Sequence, residues 1–177
     1  PYWSAFVDFD NDGDPDLFAA GAKLLSESNE EQVVNIVLVN NGLGNFDINQ
    51  SVLLPPPVSQ CPGGDEVNRA QDISVNDFNH DGWPDIVSAN GPLIVVFMNQ
   101  GGKRFVPLEI DITGQDDTAI FNIVLIDINN DGWLDIFGTT YLQGNFYLLS
   151  DKGEFPSAGL RQPPRGDAVL SSTISFG

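Results

Sequence analysis

Three stretches, residues 8–16, 77–85 and 127–135, place acidic or amide side chains at alternate positions on the shared pattern D-x-[DN]-x-D-G-x-x-D. Positions 1, 3 and 5 are Asp8, Asp10 and Asp12 in the first, Asp77, Asn79 and Asp81 in the second, and Asp127, Asn129 and Asp131 in the third. Position 9 is Asp16, Asp85 or Asp135. Alternation with spacers lets one short loop aim several oxygens at one point, the donor set that a hard cation needs. Calcium takes six to eight oxygens at about 2.3–2.6 Å, whereas magnesium demands tight octahedral geometry and keeps several waters. The pattern therefore predicts three calcium sites. In each, position 7 (Asp14, Trp83 or Trp133) offers its backbone carbonyl, and position 9 closes the site, often with both oxygens. The glycine at position 6 (Gly13, Gly82, Gly132) permits the sharp turn around the ion.

An EF-hand is excluded, because it needs flanking helices and a Glu at position 12, where this chain has Ala19, Ser88 and Gly138. A plain acidic turn is a poor account as well. Three or four carboxylates held in one loop repel each other without a cation, and a chance turn does not recur at the same place in three repeats.

The elements that must hold these loops repeat with them, at intervals of about 50 to 70 residues. An apolar strand enters each loop (Ala5-Phe6-Val7, Ile73-Ser74-Val75, Val124-Leu125-Ile126) and another leaves it (Leu17-Phe18-Ala19, Ile86-Val87-Ser88, Ile136-Phe137-Gly138). A third strand follows at 36–39, 93–98 and 146–149, then a glycine-bearing hairpin turn that ends on Phe46, Phe105 or Phe155 and leads to a short outer strand. Four short strands per unit predict an all-β chain of about three four-stranded β-propeller blades, with units at 1–66, 67–116 and 117–166. The extra length of the first unit, 22–32 and 51–67, reads as surface loops, the former with room for a helical turn or two. Residues 172–177 look like the strand that precedes each loop, so 167–177 is expected to begin a next blade of a larger propeller of six to eight blades.

Composition narrows the partners. Against 25 acidic residues stand 7 basic ones, a formal net charge of −18, which repels nucleic acid and anionic membrane surfaces. Eleven of the acidic residues lie inside the three loops, so the charge is clustered rather than spread as a solvated coat. The single Cys61 excludes an intrachain disulfide, and with one histidine it makes no zinc cluster. No apolar run approaches the roughly 20 residues of a membrane-spanning helix.

On these loops and units the chain resembles the FG-GAP and VCBS-type repeats of integrin alpha-chain propellers and many secreted proteins. Phe176-Gly177 is similar to the Phe-Gly of the family's signature. The Gly-Ala-Pro half is absent, which favours the broader VCBS-like group. The resemblance implies a structural calcium ion in the loop joining the first two strands of each blade, with the residues above as ligands.

Other residues carry weaker chemistry. Trp83 and Trp133 stand at equivalent loop positions and read either as stacking platforms for a sugar or as blade-edge packing. Arg165-Gly166-Asp167 is a tripeptide that some integrins recognise, and Asn49-Gln50-Ser51 is a glycosylation sequon. His80, at a loop spacer position, is expected to point away from the metal into solvent, and it leaves no partner set for a nucleophilic triad. The functional expectation is an extracellular or cell-surface scaffold that binds protein or glycan, calcium-stabilised and non-enzymatic. The alternatives are a calcium-dependent polysaccharide lyase or hydrolase, and a lectin.

Overall fold

The computed structural model describes residues 3–25, 31–56, 72–91, 93–112, 120–140, 144–155 and 160–161. The expected strand at 172–177, the tripeptide at 165–167 and most of the 51–67 excursion lie outside the described residues. What is described is all-β apart from one 3₁₀ turn, Ile48–Gln50.

Three four-stranded antiparallel sheets follow one another along the chain, each a simple up-and-down meander. The first holds β1 (Trp3–Val7), β2 (Asp16–Leu25), β3 (Glu31–Leu38) and β4 (Val52–Leu53). The second holds β5 (Asp72–Asn76), β6 (Asp85–Asn90), β7 (Leu93–Asn99) and β8 (Phe105–Asp111). The third holds β9 (Ile120–Ile126), β10 (Asp135–Thr140), β11 (Asn145–Leu148) and β12 (Leu160–Arg161). Each sheet is a propeller blade, and in each the acidic loop joins the first strand to the second.

The cores lie between blades. Phe9, Phe18, Ala20, Val37 and Leu54 of the first blade pack against Ile86, Leu93, Val95, Phe97 and Phe105 of the second. Val87, Ala89, Ile94 and Val96, on the other face of the second blade, pack against Ile120, Ile123, Ile136, Phe146 and Leu148 of the third. Both faces of the middle blade are thus covered. Its strands β6 and β7 are buried almost throughout, which explains the near-continuous apolar run Leu93-Ile94-Val95-Val96-Phe97 where a half-exposed strand would alternate. The other face of the first blade is covered unevenly: Ile36, beside Val37 of the core, is buried. There Phe6 is 69% exposed, while Val75, which occupies the same place before the second loop, packs into the core.

Residues 22–25 and 31–32, expected as surface loop, are strand, while 26–30 lie outside the described residues. The strand residues extend the β2–β3 hairpin, pairing Ala22 with Val34 and Leu25 with Glu31 beyond a register shift between Ala19 and Ala22. At the shift Gly21 has φ of 65°, and its N–H donates to Asn35 Oδ1 at 3.0 Å, so a buried side chain holds the irregularity. β-branched Val33 and Val34 and an exposed Lys23–Glu31 ion pair at 2.6 Å then favour strand over loop.

A polar tie also crosses the second junction. The carboxylate of Asp72 in β5, 6% exposed, accepts from the Ile123 N–H at 2.8 Å and from Asn122 Nδ2 at 2.7 Å, both in β9. Burial raises its pKa, while the N–H donors of Ile123 and Ile73 oppose the rise.

Candidate metal centres

The three loops share one pattern of hydrogen bonds. At position 1 the two oxygens of Asp8 accept the N–H groups of Asp12 and Gly13, both at 3.0 Å. Asp77 accepts those of Asp81 and Gly82 in the same way, and Asp127 those of Asp131 and Gly132. Position 3 accepts from position 5, as in Asn79 Oδ1 from the Asp81 N–H at 3.0 Å, and position 5 accepts from position 7, as in Asp81 Oδ1 from the Trp83 N–H at 2.9 Å. Successive side-chain-to-backbone turns of this kind curl the chain so that carboxylates and amide oxygens face inward. Two left-handed residues complete the curl. One is the glycine at position 6, with φ of 88–95°. The other is position 4, where Asn11, His80 and Asn130 have φ of 58–60°. Asparagine tolerates that region better than most residues, so the repeated Asn was a readable signal for it.

Position 9 does more than close the loop. Asp16, Asp85 and Asp135 are fully buried. Asp16 Oδ2 accepts from the Phe9 N–H at 2.9 Å and Oδ1 from the Asn40 N–H at 2.8 Å, so one carboxylate joins the loop to the end of the third strand. Asp85 does the same with Phe78 and Asn99, and Asp135 with Ile128 and Ser150. Each oxygen keeps a second lone pair for a ligand role.

The donor set of the first loop fits calcium. Carboxylate oxygens of Asp8, Asp10 and Asp16 lie within 4.8 Å of one another. Two oxygens on opposite sides of one calcium ion stand about 4.6–5.2 Å apart, given the ligand distances above. Burial and neighbouring carboxylates act on the charges of these loops. Burial raises the Asp10 pKa, with Asp16, Asp12 and Asp8 adding to the rise and the Asp12 N–H opposing it. Asp85 is pushed up to about 6, again first by burial, with Asp81 and Asp77 adding and the amides of Asn99 and Phe78 opposing. In the second and third loops position 3 is an amide, and Asn79 and Asn129 donate Nδ2 to Asp81 and Asp131 at 3.0 and 2.8 Å. These loops gather fewer charges than the first. Asp12 and Asp131 are exposed at the loop rim, Asp14 is half-buried beside Gly42, and Trp83 and Trp133 are half-buried.

The loops also touch the following blade, which the spacing of ligands did not reveal. Asn11 Nδ2 donates to the Gly82 carbonyl at 2.8 Å. His80 is not simply solvated; its ring stacks on that of Trp133 at 4.2 Å. This supports packing for Trp133 over a free sugar platform. Position 2 inserts as well, with Phe9 4.5 Å from Phe105 and Phe78 5.2 Å from Phe155 between ring centroids. Asn99 Nδ2 reaches back to the Phe9 carbonyl at 3.0 Å.

Asn49 is exposed in the 3₁₀ turn, where its Nδ2 donates to Asp47 Oδ1 at 3.0 Å. A separate open cleft of about 650 Å³, lined in part by Val34, Leu54, Pro55, Arg104 and Phe105, gathers no carboxylates among the described residues. Among those residues no helix is long and apolar enough to cross a membrane.

No curated protein matches the chain. Residues 77–138, however, match the family model of the FG-GAP-like repeat, from the first aspartate of the second loop into β10. That span holds the second and third loops together with β6, β7, β8 and β9, so this part of the chain is similar to the FG-GAP-like repeat.

Proposed function

We propose that the protein is a calcium-stabilised, extracellular β-propeller scaffold whose blades present a surface for protein or glycan ligands. The observation that carries this reading is the convergence of Asp8, Asp10 and Asp16 oxygens within 4.8 Å, in a loop whose hydrogen bonding recurs twice more. When bound, calcium supplies charge neutralisation and a fixed coordination point. The chain's own residues do the rest. Asp8, Asp77 and Asp127 brace the turn, and Asp16, Asp85 and Asp135 tie it to the third strand.

Ion binding to the folded form alone adds to stability, by about 1.4 kcal/mol per site at tenfold excess over Kd. Extracellular modules of this kind work with Kd of about 10⁻⁴–10⁻³ M, matched to the calcium outside cells. Calorimetric titration with calcium and a melting curve in chelator test the proposal together. Three bound ions and a lowered Tm in chelator are expected; an unchanged melting curve would sink it.

A further inference from the structure

The first and second acidic loops each meet the hairpin of the following blade at a glycine. A Cβ placed on Gly102 would stand 2.7 Å from Asp10 Cα and 3.2 Å from Trp83 Cζ3. A Cβ on Gly153, the matching residue of the third blade, would stand 3.0 Å from the Phe78 carbonyl oxygen and 3.3 Å from Asn79 Cα. Real Cβ atoms essentially never approach as closely as the first of these, so the backbone of ligand position 3 rests directly on the next blade's hairpin. The first of these junctions also carries Asn11 to the Gly82 carbonyl and Asn99 to the Phe9 carbonyl, and the second carries His80 on Trp133. Gly101, next to Gly102 and with the same φ of 69°, has nothing within 4 Å of a Cβ.

We infer that the first and second metal loops are each completed by the blade that follows, with Gly102 and Gly153 as positioning residues for the first and second calcium sites. This rests on the calcium reading above. Ion binding at a loop then rigidifies the following blade's hairpin, and the coupling is reciprocal. The rival arrangement is that each loop serves only its own hairpin through position 9, as Asp85 does when it accepts the Asn99 N–H.

Peptide-resolved hydrogen exchange of the full chain, in millimolar calcium against chelator, separates the two. In the wild type, calcium is expected to slow exchange in the hairpins at 99–105 and 150–155. Asp8→Asn is expected to abolish the slowing at 99–105 and spare 150–155, while Asp77→Asn abolishes it at 150–155. If Asp77→Asn instead removes the response at 99–105 and Asp8→Asn leaves it intact, each loop serves its own blade and the inference is overturned.

A second pair of variants guards against misfolding of the aspartate variants. Gly102→Ala should remove the calcium response of 8–16 and leave that of 127–135, whereas Gly101→Ala, equally strained in its backbone, should leave both. Equal effects of the two alanines would overturn the inference. No calcium response anywhere in the wild type would overturn the calcium reading itself, a distinguishable result.

Discussion

The rings of Phe9 and Phe105 meet at 4.5 Å across the junction of the first two blades, although one belongs to an acidic loop and the other to the end of a hairpin. Both are buried, Phe9 completely, and Phe105 also lies edge-on to Phe97. Aromatic pairs of this geometry contribute beyond the area they remove from water. Phe9→Ala is therefore expected to cost about 3–5 kcal/mol, read from the midpoint of denaturant unfolding. Ile128, the same loop position in the third blade, is 38% exposed, and Ile128→Ala should shift the midpoint much less. Equal shifts would mean that the loop residue is not seated as described.

Asp10 is the one residue at position 3 that is an acid rather than an amide. Its neighbours Asp16, Asp12 and Asp8 all disfavour its charge. Asp10→Asn makes the first loop like the other two. Without calcium the variant should melt at a higher temperature than the wild type, and with calcium its advantage should shrink or reverse. Melting curves in chelator and in calcium test this, and a lower Tm of the variant in chelator would contradict it.

Asp72 gives a pH dependence of defined sign. Its folded-state pKa lies above the ordinary 3.8, so the native protein binds this proton more tightly than the unfolded chain does. The group's favourable contribution is full below pH 3.8 and is lost as pH rises through the folded value. Asp72→Asn keeps an oxygen to accept from Ile123 and Asn122 but never carries the charge. The stability of the variant relative to wild type should then grow between about pH 4 and pH 7. A difference that stays flat with pH would refute the assignment.

Ser150 stands where the second blade has Asn99. Asn99 Nδ2 donates to the Phe9 and Pro84 carbonyls, at 3.0 and 3.1 Å. The Ser150 hydroxyl is buried and has no hydrogen-bond partner among the described residues. Ser150→Asn should recreate those bonds with the carbonyls of Phe78 and Leu134, and stabilise the protein by about 1 kcal/mol. A fall in Tm would show that the third blade lacks the space.

The loops and the strands beside them were legible because their signals are local. Alternating carboxylates before a glycine admit few conformations, and β-branched runs such as Val95-Val96 admit few others. The longer β2–β3 hairpin was not legible, since its strand character depends on a register shift held by Asn35, a residue 14 positions from Gly21. The seating of the first and second loops on the next blade was hidden for a similar reason. Position 4 looked like a spacer because its partners, the Gly82 carbonyl and the Trp133 ring, belong to another repeat. The double duty of Asp16, Asp85 and Asp135 was half visible: their place in the loop showed, but not the distant amides of Asn40, Asn99 and Ser150.

That seating gives the chain a direction in time as well as in space. The Asn99 side chain that caps the Phe9 carbonyl is made 90 positions after it. At a synthesis rate of about 5–20 residues per second, the first loop waits roughly 5 to 20 seconds for the hairpin that receives it. During that interval the Phe9 ring has no aromatic neighbour to enter, and the newly made first blade presents an apolar edge to whatever meets the nascent chain.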